Sequence, residues 1–243
     1  MDERTVSIPT PDGEMSGFFV VPRSPATRSA VVVAQEAFGV NDHIRDVCRR
    51  LAGDGHAALA PQLYHRTRRN VVIDYGNFEA ARTYLNELTN EGIEIDVKAS
   101  VGFLRREPAV GTSPVSAIGF CMGGFVAFLA ACRTDVDASV CFYGGGIVHA
   151  RPGAQMTPLL DEADRIQCPL LGLFGEEDPS IPPEDVAAIR DRLASLGKKA
   201  EIVYYPGAGH GFFCDQRSSY RPDAAKDAWR RTLEWLTEMQ TRN

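Results

Sequence analysis

The chain has 243 residues, 44% of them hydrophobic and 24% charged, proportions that suit one globular α/β domain over 1–243 with a large core. A net charge of −6 with a pI near 5.4 argues against a nucleic-acid surface, and the absence of a long apolar run or a leader-like start argues against membrane insertion and export. The expectation is a soluble cytoplasmic protein, monomeric or weakly self-associating, that acts on a small molecule.

Two alternating runs, Thr5 to Ile8 and Glu14 to Val21, flank Pro11-Asp12-Gly13 and predict an antiparallel hairpin at a sheet edge. Apolar, β-branched runs follow at Ala30 to Ala34, Ala57 to Pro61, Val115 to Phe120, Ser139 to Tyr143, Leu170 to Phe174 and Glu201 to Tyr205. Between and after them, Asp42 to Ala52, Ile95 to Arg105, Gly124 to Cys132, Glu184 to Leu196 and Ala224 to Met239 carry apolar residues at three and four spacing and predict helices. Strands alternating with helices predict a mostly parallel central sheet with helices on both faces. Tyr64 to Asn90 is at best partly helical and suggests a lid. Ala150 to Arg165 suggests a second excursion on the ligand side, beyond strand C-termini.

The most informative segment is Ser116-Ala117-Ile118-Gly119-Phe120-Cys121-Met122-Gly123-Gly124, a buried strand entering a glycine-tight turn that opens a helix. Such a turn holds a nucleophile in a strained conformation above the strand end, and small neighbours make it tolerable. The following helix N-terminus favours thiolate and, later, an oxyanion. Two further signals occur after strands, Gly175-Glu176-Glu177-Asp178-Pro179 and Pro206-Gly207-Ala208-Gly209-His210-Gly211. Nucleophile, acid, histidine is the chain order of α/β-hydrolases, so the expected triad is Cys121, Asp178 and His210. An unperturbed thiol titrates near 8.5, and bringing it to about 7 takes roughly 2 kcal/mol, which an imidazolium and a helix end can supply.

Ahead of these, Glu36 follows the first buried run. A carboxylate beside the thiol would oppose thiolate formation and accept the S–H proton, although it could equally pair with an arginine or a helix end. The oxyanion donors of this fold come from this loop and from the residue after the nucleophile, hence the backbone N–H groups of Ala37 and Met122. The cysteines at 48, 132, 141, 168 and 214 read as small hydrophobes, and no Cys–His spacing suggests a metal site, so neither metal nor cofactor is expected. His43, His56, His65 and His149 read as solvated or hydrogen-bonded, and Gly144-Gly145-Gly146 lacks the companions of a phosphate loop.

With these residues in place the chain resembles the dienelactone hydrolases, or carboxymethylenebutenolidases, a cysteine-nucleophile branch of the α/β-hydrolases. The resemblance rests on Gln35-Glu36-Ala37-Phe38-Gly39-Val40-Asn41, Pro61-Gln62-Leu63-Tyr64, Gly119-Phe120-Cys121-Met122-Gly123-Gly124, Phe142-Tyr143-Gly144, Gly207-Ala208-Gly209-His210 and the tail from Ala224 to Leu233. It implies a Cys121, His210, Asp178 triad, Glu36 in contact with the resting thiol, and opening of unsaturated lactones through a thioester. It also implies arginines for a substrate carboxylate, one shortly after the histidine and one before the helix that precedes the elbow. The sequence departs at both: Cys214 stands four after His210, with Arg217 the nearest arginine, and Arg82 is the possible counterpart of the other. Phe38, Tyr64, Arg82, Tyr143 and Arg217 are therefore the expected substrate-binding residues, and Arg66, Arg68 and Arg69 are either a substitute source of charge or a solvated loop. The rival readings are a broad carboxylesterase or thioesterase and a non-catalytic ligand-binding protein.

Overall fold

The computed structural model describes residues 1–23 and 27–238. Eight strands form one sheet: β1 (Asp2–Thr10), β2 (Gly13–Val21), β3 (Ser29–Ala34), β4 (His56–Pro61), β5 (Val115–Phe120), β6 (Ser139–Phe142), β7 (Leu170–Gly175) and β8 (Ala200–Tyr205). Their order is β1-β2-β4-β3-β5-β6-β7-β8, antiparallel for the β1–β2 hairpin and for β2 on β4, and parallel from β4 through β8. Every residue of β3, β4, β5, β6 and β7 is buried. That is why these segments are largely apolar, whereas β1 and β8, at the two edges of the sheet, are mostly exposed or half-buried.

Among the described residues there are six α-helices: α1 (Asp42–Gly53), α2 (Phe78–Leu85), α3 (Asn90–Arg106), α4 (Met122–Arg133), α5 (Pro183–Ser195) and α6 (Pro222–Glu238). From β3 the chain steps one way to β4 and later the other way to β5 and β6, and right-handed crossovers then put the connecting helices on opposite faces. Accordingly α3, α4, the 3-10 turn Leu160–Arg165 and α5 touch in series, while α1 meets α6 through Arg50, whose guanidinium lies 4.2 Å from the Trp229 ring. The reversal makes the carboxyl ends of β3 and β5 a topological switch point, where ligands enter folds of this kind.

The Tyr64 to Asn90 segment is partly helical, as expected, and one helix starts earlier than expected. In the Tyr64 to Asn90 segment, α2 is capped by the Asn77 side chain, which accepts from the Ala80 N–H at 3.2 Å. The next helix, α3, starts at Asn90, well before the predicted Ile95, because the Thr89 hydroxyl accepts from Gly92 N–H at 3.1 Å and caps a polar first turn. The predicted final helix reaches α6 as described, its last residue, Met239, lying outside the described residues.

Candidate active site

At the end of β5, Cys121 has φ 58° and ψ −115°, a conformation disfavoured for a residue with a Cβ. It is held there because its N–H donates to Phe142 O at 3.1 Å and its carbonyl accepts from Gly124 N–H at 2.9 Å. The glycines of the motif are required by close approach. A Cβ on Gly119 would lie 1.7 Å from Gly123 O, and one on Gly123 would lie 2.2 Å from Ala34 O. The thiol therefore stands at the N-cap of α4, and Met122 is the helix's first residue, with an N–H that has no intrahelical acceptor by geometry.

Asp178 lies in the turn beyond β7. Its Oδ1 accepts from the Ser180 N–H at 2.8 Å and its Oδ2 lies 2.7 Å from His210 Nδ1, in the loop beyond β8. Both partners are well covered, with side-chain exposures of 15% for His210 and 1% for Asp178. Because a carboxylate only accepts, His210 carries its proton on Nδ1 and turns Nε2 to other work. After burial, the imidazole is the strongest influence on the Cys121 thiol. Burial opposes the Cys121 thiolate, and Glu36 opposes it too, but the His210 charge and hydrogen bond, with help from Arg151, outweigh them and lower its pKa. Burial likewise opposes the His210 cation, yet the Cys121 thiolate and the Asp178 carboxylate raise its pKa. The two shifts describe one proton displaced toward a thiolate–imidazolium pair.

Glu36 is fully buried. Its Oε2 accepts from the Tyr75 hydroxyl at 2.8 Å and its Oε1 pairs with Arg217 Nη1 at 3.2 Å. Of the two fates read from the sequence, the arginine pairing is the one observed. Tyr75 was not legible as a site residue: it stands 39 positions from Glu36, in a segment without clear periodicity. Its hydroxyl accepts from Asn41 Nδ2 at 3.0 Å and from the Cys214 thiol at 3.2 Å. Cys214 therefore has a polar partner, although burial raises its pKa, to about 11, as it raises those of Cys48, Cys132 and Cys141.

The other expected residues divide by what they touch. Tyr64 is buried, and its hydroxyl donates to Ala37 O at 2.9 Å, which fixes the peptide of the expected oxyanion loop. Phe38 packs edge-on against Tyr75, centroids 4.7 Å apart, with the Arg217 guanidinium 5.9 Å from its ring. Tyr143, at a φ of 38°, is fully buried 5.2 Å from the His210 ring, and its hydroxyl has no partner. Arg66 is engaged elsewhere, with two bonds to the buried Asp96 at 2.8 and 2.9 Å and one to Asp12 at 2.9 Å. Arg68 and Arg69 line a separate cavity with Tyr84. His65 is covered by its contact to Asp96 at 3.0 Å and is not a surface residue.

Arg82 reaches a cavity of about 320 Å³ between α2 and the stretch after β6, shared with Phe78, Leu85, Met156, Ser180 and a second arginine, Arg151. Arg151 Nη2 is buried without a hydrogen-bond partner, and a Cβ on Gly145 would meet it at 2.3 Å. The only signal for Arg151 in the sequence is its place in the ligand-side excursion.

Known proteins fit this picture. The dienelactone hydrolase family model matches residues 15–240. A Synechocystis sp. protein named as a candidate carboxymethylenebutenolidase is 39% identical over 238 residues, covering 97% of this chain and 96% of the relative. Among solved structures, a candidate dienelactone hydrolase of Klebsiella pneumoniae superposes with a TM-score of 0.87 at 33% identity, covering 98% of both chains. A dienelactone hydrolase-like promiscuous phosphotriesterase from metagenomic libraries superposes with a TM-score of 0.82 at 27% identity over 98% of each chain. The chain has the α/β-hydrolase fold and is a carboxylic ester hydrolase that belongs to the dienelactone hydrolase family.

Proposed function

We propose that the protein opens lactone or ester bonds of small anionic, unsaturated substrates through a thioester on Cys121. The observation that supports the reading is the strained backbone of Cys121 at the strand end together with the His210 Nδ1–Asp178 contact of 2.7 Å, with His210 the strongest influence on the thiol after burial. The Cys121 thiolate adds to the acyl carbon, and the tetrahedral oxyanion is held by the N–H groups of Met122 and Ala37. As the C–O bond breaks, His210 gives its proton to the leaving oxygen. It then takes a proton from water, whose oxygen attacks the thioester and returns the thiol.

A lactone's leaving oxygen stays tethered to the acyl group and can close the ring again. Favoured substrates therefore release a stabilised enolate, which also suits a weakly basic thiolate. For the anionic end, the reading favours the cavity of Arg82 and Arg151, because Arg217 is already paired with Glu36 and Arg66 with Asp96. Arg151 combines an unpartnered guanidinium nitrogen with an electrostatic influence on Cys121.

The test is steady-state hydrolysis of an anionic dienelactone beside a neutral aryl ester, with wild type and Cys121→Ala. Cysteine-dependent preference for the dienelactone is expected. Turnover that survives Cys121→Ala would refute the nucleophile, and cysteine-dependent turnover of the neutral ester alone would replace the substrate class.

A further inference from the structure

The end of the sheet holds a group of side chains that the proposed reaction does not use. One ligand atom each from Glu36, His43 and Cys214 lies within 4.8 Å of the other two, and all three residues are buried. They come from the loop after β3, from α1 and from the loop after β8, so no spacing along the chain announces them. His43 is 3% exposed, and its Nε2 is buried with no hydrogen-bond partner. An imidazole nitrogen in that position forfeits a hydrogen bond that water would supply, a cost of roughly 1–3 kcal/mol unless another group meets it. The Tyr143 hydroxyl is also buried without a partner, and Glu36 and Cys214 are the leading charged influences on it after its burial. The cluster of carboxylate, imidazole and thiol thus includes an imidazole with an orphaned buried nitrogen.

We propose that Glu36, His43 and Cys214 form a binding site for one divalent transition-metal ion of the zinc class. Thiolate and imidazole together select borderline-soft ions, and a carboxylate completes a common three-ligand set with an open fourth position. The charges balance, because one carboxylate and one thiolate neutralise a dication while a neutral imidazole adds nothing. Burial disfavours the protonated form of His43, which keeps the ring available as a ligand. The approach is open to solvent-borne ions: His43 lines a cavity of about 200 Å³ whose charged residues are Asp46, Asp215, Arg50 and Lys226.

On binding, the Cys214 proton leaves to solvent as the sulfur–metal bond forms, and the ion replaces the Tyr75 hydroxyl as the shared partner of Glu36 and Cys214. Arg217, now 3.2 Å from Glu36, is displaced by the incoming positive charge.

The experiment is a cadmium titration of the full-length Cys121→Ala protein, followed by the ultraviolet thiolate-to-cadmium charge-transfer absorbance. The catalytic cysteine and histidine then cannot chelate the probe. The expected result is a band that saturates at one ion per chain, is lost in Cys121→Ala/Cys214→Ser, and needs about tenfold or more cadmium in Cys121→Ala/His43→Gln. Circular dichroism of each variant establishes that it is folded. No saturable band, a band that survives Cys214→Ser, or an affinity unchanged by His43→Gln overturns the site.

Discussion

Asp178→Asn tests the proton path most directly, because the local hydrogen bonds dictate how the amide must sit. Asp178 Oδ1 receives the Ser180 N–H at 2.8 Å, so the asparagine oxygen stays there and its NH₂ faces His210 Nδ1, 2.7 Å away in the native protein. An NH₂ only donates. His210 must then offer the Nδ1 lone pair and carry its proton on Nε2, the tautomer that cannot take a proton from Cys121. Losing a charged hydrogen bond alone costs roughly 1.5–3 kcal/mol. At 1.36 kcal/mol per pKa unit this is about one to two units less support for the imidazolium and hence for the thiolate.

The assay is the pH dependence of Cys121 alkylation by iodoacetamide, read beside kcat/KM for an aryl ester. In the wild type the inflection should fall below the ordinary thiol value of about 8.5, since the His210 charge and hydrogen bond lower the Cys121 pKa. In Asp178→Asn it should rise by about one to two units, with kcat/KM at neutral pH down by about a hundredfold or more once the tautomer cost is added. An inflection and a kcat/KM that match the wild type in the folded variant would refute the argument.

Three further outcomes are expected. Arg151→Gln should raise KM for the anionic dienelactone about tenfold, the value of one charged hydrogen bond, and leave KM for the neutral ester unchanged; equal effects on both esters in steady-state kinetics would remove Arg151 from substrate recognition. Arg66→Met should act on stability, because Asp96 has a fully buried side chain and loses its strongest partner. With Arg66 itself 30% exposed, the loss should be roughly 2–3 kcal/mol by urea unfolding, less than the 3–5 of a fully buried pair, with the ratio of anionic to neutral ester kcat/KM unaltered. Gly119→Ala places a Cβ 1.7 Å from Gly123 O, which forces β5 and α4 apart and should cost at least about 3 kcal/mol; thermal unfolding of the purified variant checks it.

Much of the fold is legible in the sequence, for a physical reason. A strand buried on both faces must be predominantly apolar, and β3 to β7 are, with Ser29, His56, Ser116 and Ser139 as buried polar exceptions. The order of the proposed triad is legible because each residue follows a strand and lies close to glycines that the turns need, such as Gly207 at φ 68° and Gly211 at φ 78°. What is not legible is set by partners distant in the chain. Phe78 of α2 is exposed, so its helix has a weak apolar face, and the polar first turn of α3 depends on one Thr89 cap. The partners of Glu36 lie 39 and 181 residues away. No local pattern distinguishes a carboxylate that will meet a thiol from one that will meet an arginine.

The same reasoning decides among the arginines. Each of Arg66, Arg82, Arg151 and Arg217 is a plausible carboxylate ligand by residue type, and motif position favours Arg82 and Arg217. Folding redistributes them. A guanidinium already bound to a buried carboxylate can serve substrate only by leaving that carboxylate uncompensated, at a cost comparable to what a substrate carboxylate would return. Arg66 on Asp96 and Arg217 on Glu36 are both in that position. Arg151 has a buried nitrogen with no partner to surrender, so a substrate carboxylate gains the whole interaction there. The anionic end should therefore lie toward α2 and the stretch after β6. A metal ion at Glu36 would alter this order by releasing Arg217. Saturating the chain with zinc should then weaken the effect of Arg151→Gln on KM for the dienelactone, since a second guanidinium becomes available. An Arg151→Gln defect of the same size with and without zinc, in a protein shown to bind the ion, would mean that Arg217 does not reach the substrate even when it is free.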